Sequence, residues 1–181
     1  AIDWIFGRSL TGRHLFSLFI IFFQAAFFAI VLIVNKAYTD NTYLPGLIFG
    51  LFCFFSFDFL SFSPELLGST FLLFALNNLF KEIEFRIQRD EIILNLGVCL
   101  GIASLLVFSY SIFLPATLII LIVFTRISVR KTLLLFFGFA LAHMVLITLY
   151  FYWGKTADLW QNFYLPNFTF SGVNLVSLKS I

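Results

Sequence analysis

From His14 to Val34 the chain reads HLFSLFIIFFQAAFFAIVLIV, 21 residues without a carboxylate, a lysine or an arginine. As a helix rising about 1.5 Å per residue, such a run matches a bilayer hydrocarbon core of roughly 30 Å. It admits few folds, because in lipid every backbone N–H and C=O must be paired, and a helix pairs them within the segment. Further apolar runs follow at Leu44 to Leu60, Pro64 to Phe80, Ile92 to about Phe108, about Ile112 to Thr125, and Thr132 to Trp153. With 61% of the 181 residues hydrophobic and only 11% charged, no stretch is polar enough for a separate water-soluble domain. The spacing predicts an all-α fold, a polytopic transmembrane helical bundle forming one domain over residues 1–153, with an outward-facing tail over 154–181.

The punctuation between runs is physical. Ser63-Pro64-Glu65 is a helix start: a capping serine, a proline at the first helical position and a carboxylate at the positive end of the dipole. Ser109, Ser111 and Pro115 divide the residues from Ile92 to Thr125, too many for one crossing, into two short helices. Gln24, in mid-span, reads as a helix–helix hydrogen bond. The leading IDWIFGRSLTGR has the aromatic and arginine mixture of a headgroup-level segment, and the first span reads as a retained helix with no cleavage pattern at its end. The amphipathic stretch after Lys155 leads us to expect continuation in a longer polypeptide.

Orientation follows from lysine and arginine. If all six runs cross, the two faces hold 7 and 4 basic residues. If Leu44 to Leu60 instead returns to the face it entered, as a re-entrant or outer-leaflet helix, the division becomes 8 against 3, with about five crossings and a cytoplasmic N-terminus. That arrangement places KEIEFRIQRDE (81–91) and RISVRK (126–131) in the cytoplasm and the Asp40 loop, the Asp58 turn and Tyr110 outside. The 81–91 segment reads as a solvated turn in which Glu82, Arg86 and Arg89 form spaced helical pairs.

Candidate chemistry is sparse. Asp40, Asp58 and Glu65 are expected at one outer level, with Tyr110 beside them, where carboxylates suit cation binding or general-base work on a lipid-linked substrate. His143 falls within FFGFALAHMVLITLYFYW, where an ionisable group is costly, and reads as a neutral imidazole bonded to a neighbouring helix. His14 and His143 are too far apart in sequence to suggest a metal site, Cys53 and Cys99 lie in apolar runs as small hydrophobes, and no cofactor motif occurs. Scattered basic residues and a net charge of +2 argue against a nucleic-acid partner.

The stretches TDNTYLPGLIFGLF (39–52) and SPELLGSTFLLFALNNLFKEIEFR (63–86) carry a resemblance to the opening membrane module of GT-C type glycosyltransferases. That resemblance implies transfer from a polyprenyl-phosphate-linked sugar, with Asp40 as the catalytic outer-loop acid. SPELLGSTFLLFALNNLF together with LGIASLLVFSYSIFLPATLIILIVFTR (100–126) also resembles a family of uncharacterised multi-pass inner-membrane proteins of Bacteroidota, which implies the bacterial inner membrane. The leading expectation is a non-catalytic membrane subunit whose partners are lipids and other membrane-protein subunits. The GT-C-like transferase is the alternative, and a transporter using Gln24, His143 and Pro115 is a third reading.

Overall fold

The computed structural model describes residues 10–36, 42–55, 63–85, 90–125 and 128–165, and helix dominates all of them. The elements are α1 (Leu10–Val34), α2 (Leu44–Phe55), α3 (Pro64–Phe85), α4 (Asp90–Leu106), a 3-10 turn (Phe108–Ile112), α5 (Phe113–Thr125), α6 (Val129–Tyr152) and α7 (Thr156–Leu159), continued by a π-helical turn (Trp160–Tyr164). Three stretches are long and apolar enough to cross a membrane: His14–Val34, Phe108–Thr125 and Val129–Tyr152. The protein is a helical membrane protein.

Local chemistry sets the ends. Ser63 Oγ accepts from the Leu66 amide at 3.3 Å, so α3 begins at Pro64 with Glu65 in its first turn, as the sequence indicates. Ser128 caps α6 in the same way, its side chain accepting from Lys131 N at 3.5 Å. The division of the long run from Ile92 falls at Val107, whose backbone is extended (φ −138°, ψ 107°), and Pro115 sits in the first turn of α5, where its missing N–H has no helical acceptor to lose. Gly154, at φ +66°, ends α6 in the left-handed conformation that glycine adopts without a Cβ penalty.

Contact order gives the direction of each helix. Gly46 of α2 faces Ala25 and Ala29, while Cys53, one turn and more later, packs with Ile21, so α2 runs antiparallel to α1. Gln24 bonds to Leu66, Ser69 and Thr70, and Phe27 meets Phe74 with ring centroids 4.9 Å apart, so α3 runs in the same sense as α1. Gly68 lies against Tyr110 and Ala103 while Leu79 shares a cluster with Ile93, which makes α3 and α4 antiparallel. Gly97 faces Gly138, Gly101 faces Ala142 and Ser104 faces His143, so α4 and α6 are parallel neighbours.

This order bears directly on the expected re-entrant helix. A segment 44–60 returning to its own face would leave α1 and α3 running in opposite senses, and they run in the same one. The helix itself stops at Phe55, and at 12 residues, about 18 Å long, it is short for a hydrocarbon core; residues 56–60 lie outside the described residues.

Two apolar clusters hold the helices. The larger joins Ala75 and Leu79 of α3, Ile93, Leu96 and Leu100 of α4, Leu121 of α5 and Leu135 of α6. The smaller joins Ile21, Cys53 and Leu66. Every large apolar side chain exposed among the described residues lies outside 63–106. Thus α3 and α4 form the inside of the bundle and the remaining spans its lipid-facing rim. An inner helix touches protein on most sides, which is why α3 tolerates Asn77, Asn78 and Glu82, a polar content lipid would not.

Candidate functional site

Small residues first determine where helices can meet, and polar side chains then pin them. On α4, Gly97 and Gly101 are one turn apart, and on α6 Gly138 and Ala142 repeat the spacing. A Cβ added to Gly97 would overlap the Leu135 carbonyl oxygen; one on Gly138 would stand 2.5 Å from Leu94 O, and one on Gly101 2.7 Å from Ala142 Cβ. The backbones therefore touch, the close approach that small-xxx-small pairs permit in lipid. A second seam joins α1 to α2, where Cβ atoms on Gly46 and Gly50 would lie 2.6 Å from Ala25 O and 3.5 Å from Ala25 Cβ. The GLIFG and GVCLG strings signal both seams in the sequence, and reading the glycines as part of general apolar runs missed them.

Gln24, 1% exposed, behaves as expected of a mid-span glutamine. Its Nε2 donates towards Leu66 O (2.8 Å), Ser69 Oγ (3.0 Å) and Thr70 Oγ1 (2.7 Å), two protons shared among three acceptors. Ser69 and Thr70 can accept because their own hydroxyls donate back to Leu66 O, at 2.8 and 3.1 Å. The node fastens α1 to the first turns of α3.

At the opposite end of α3 the 81–91 segment departs from the expected solvated turn. Glu82 is 2% exposed, and its Oε1 receives the ammonium of Lys131 from the first turn of α6. Burial of α3 between its neighbours carries the carboxylate inside, and Lys131 is the counter-charge that makes this tolerable. Glu82 Oε2 is buried without a hydrogen bond among the described residues. Arg130 and Asp90 add a 2.5 Å pair with side chains 79% and 38% exposed, a surface contact of little energetic weight. Arg86 and Arg89, the expected partners of Glu82, lie outside the described residues.

The expected outer site is only partly assembled. Asp40 and Asp58 lie outside the described residues. Glu65 is exposed at the start of α3, and the Tyr110 hydroxyl donates to its backbone carbonyl at a long 3.4 Å while the Tyr110 ring covers Gly68. The contact closes the α3 start against the 3-10 turn and leaves the Glu65 carboxylate outside it. His143 is elsewhere: α4 turns Ala103 towards Gly68 on one flank and Ser104 towards His143 on the other. Among the described residues, no three His, Cys, Asp or Glu side chains are grouped to hold a metal ion.

His143 bonds to a neighbouring helix, as read from the sequence. Its Nε2 is 3.4 Å from Ser104 Oγ and its Nδ1 3.2 Å from Phe139 O, one turn back on α6. The segment after Gly154 folds back so that Leu159 and Tyr164 are buried, and the Tyr164 ring stands 6.2 Å from the imidazole. Burial pushes the Tyr164 phenol up from its ordinary value.

Grooves in the described surface are apolar. One of about 370 Å³ has a floor of Ala25, Ala26, Ala29, Gly46 and Gly50 along the α1–α2 seam, and another of about 480 Å³ lies across α2 between Phe28, Ile48 and Phe52. Comparison with protein-family models, with curated proteins and with solved structures yields no match to this chain.

Proposed function

We propose that this chain is a non-catalytic subunit of an inner-membrane complex, packing against lipid and the helices of partner subunits through its outer spans. The observation that supports this reading is where the polar chemistry goes. Gln24, Glu82 and His143 are each committed to bonds between helices of this chain, and the grooves that open outward carry almost no polar lining. A catalytic pocket needs a few convergent polar groups in an apolar cleft; a helix-packing surface needs small residues and exposed apolar side chains. On α2, Leu47, Leu51, Phe52 and Phe55 supply such an apolar face, at 50% to 80% exposure.

The helix directions, read with the positive-inside rule, support a sidedness. With α1 and α3 in the same sense, the described residues Lys36, Lys81, Arg130 and Lys131 stand at one end of the helices, against Lys155 at the other. By the positive-inside rule the first group faces the cytoplasm. The start of α1 and the end of α6 then face outward, the reverse of the sidedness expected from the sequence.

The test is native mass spectrometry of the full chain extracted from its own membrane in mild detergent. A second polypeptide should accompany it at fixed stoichiometry and be lost when Leu47 and Leu51 are replaced by glutamine. A stable monomer with no companion would contradict the proposal.

A further inference from the structure

The amide of Gln24 is satisfied on one side only. A carbonyl oxygen only accepts, so the amide atom 2.8 Å from Leu66 O is the nitrogen, and Nε2 spends both its protons on Leu66, Ser69 and Thr70 of α3. Oε1 lies on the other side of the amide and makes no hydrogen bond among the described residues. The side-chain oxygens sealed away there without a partner are Asn35 Oδ1 and Glu82 Oε2. Gln24 Oε1 is not one of them, so it borders open space, and Gln24 walls a pocket of about 190 Å³ together with Phe49, Phe52, Cys53 and Ser69. This pocket offers acceptors and almost no donors. The Ser69 hydroxyl gives its proton to Leu66 O and receives Nε2 on one lone pair, which leaves its second lone pair unused. Cys53, a free thiol, adds only a weak donor.

Phe49 and Phe52 also wall the larger cavity of about 480 Å³ along α2, so the two adjoin, and Phe28, Leu44, Pro45 and Ile48 make that outer cavity apolar. Ile48 and Phe52 are 43% and 72% exposed, so a chain enters from the bilayer and not from water. We propose that the two cavities hold one single-chain lipid alcohol, its hydroxyl donating to Gln24 Oε1 and its hydrocarbon lying along α2 between Phe28 and Phe52. Depth selects the head. Gln24 is ten residues from each end of the first span, about 15 Å from either surface, where a charged phosphate or ammonium is far costlier to bury than a hydroxyl that finds a partner. Bonding capacity narrows the choice again: ester, ketone and ether oxygens need a donor, and the inner pocket spares none but the Cys53 thiol. Water would meet the same acceptors but has no partners in the apolar outer cavity, whereas a hydroxyl carried on a chain suits both. Leu47 and Leu51 line the groove on the other flank of α2, so this site stands or falls apart from the partner subunit.

The test irradiates the full chain in lipid bilayers with a photoactivatable hexadecanol and, in parallel, with its methyl ether, and maps the labelled residues by mass spectrometry. The alcohol should label the turn of α1 around Gln24 and residues 49–53 about tenfold more than the ether does, the worth of a hydrogen bond to an otherwise unpaired buried acceptor. Gln24→Leu should bring the two probes to the same level. Ile48→Trp, on the exposed wall and away from the Gln24 bonds, should remove labelling by both probes there and leave unfolding in detergent unchanged, and it decides the matter should Gln24→Leu not accumulate. Equal labelling by alcohol and ether in the parent chain, the outcome for a pocket holding only water or passing lipid tails, overturns the proposal. Labelling that is unchanged in Ile48→Trp overturns it too. A preference for the alcohol that survives Gln24→Leu overturns Oε1 as the acceptor.

Discussion

The two small-residue seams are built alike and situated differently. Between α4 and α6, glycine stands on both sides and backbone meets backbone. Between α1 and α2, glycines on α2 meet alanines on α1, and an apolar groove remains open along the join. Each is accompanied by a polar pin at α3: Glu82 with Lys131 on the α6 side, Gln24 with Leu66, Ser69 and Thr70 on the α1 side. The inner seam has α4, none of whose large apolar side chains is exposed, while α2 offers an exposed face. Small residues therefore serve the inside of this bundle by excluding everything else, and serve its rim while leaving room for a neighbour.

Substitutions separate the two. Gly97→Leu should have the largest effect, because its side chain would enter the Leu135 carbonyl and neither backbone can yield; a loss of at least about 3 kcal/mol, the upper end of overpacking costs, is expected in reversible unfolding in detergent. Lys131→Met should cost about 3 kcal/mol by leaving Glu82 buried and unpaired, and Glu82→Leu in the same chain should recover most of it. Gln24→Leu should cost only about 1–2 kcal/mol, the range for polar bonds between membrane helices, and should loosen α1 from α3 without disturbing the α4–α6 seam. Gly50→Ala should be nearly neutral, within about 0.5 kcal/mol, since the new methyl meets Ala25 Cβ at an ordinary 3.5 Å. A rim seam as sensitive as the inner one would erase the distinction.

Much of the helical architecture is legible in the sequence because it rests on local chemistry. The Ser63-Pro64-Glu65 start, the break before α5 and the interhelical role of Gln24 all follow from neighbours a few residues away. Long-range placement is not legible in that way. Glu82 looks like a solvent residue until Lys131, 49 positions on, is brought against it by the α3–α4–α6 packing. The direction of α2 rests in the sequence on basic-residue divisions of 8 to 3 and 7 to 4, a difference of one residue, whereas Gln24 and Phe27 decide it by what they touch. His143 and Tyr110 are both near the same end of α4, yet a sequence cannot say that α4 presents them to opposite flanks.

The direction of the first three helices underlies the proposed sidedness. Single cysteines at positions 36 and 81, each in a chain otherwise free of cysteine, can be probed in sealed vesicles with a reagent that does not cross the bilayer. Lys36→Cys, just past α1, and Lys81→Cys, near the end of α3, should label from the same face. Labelling from opposite faces would show α1 and α3 running in opposite senses and would contradict the helix order described above.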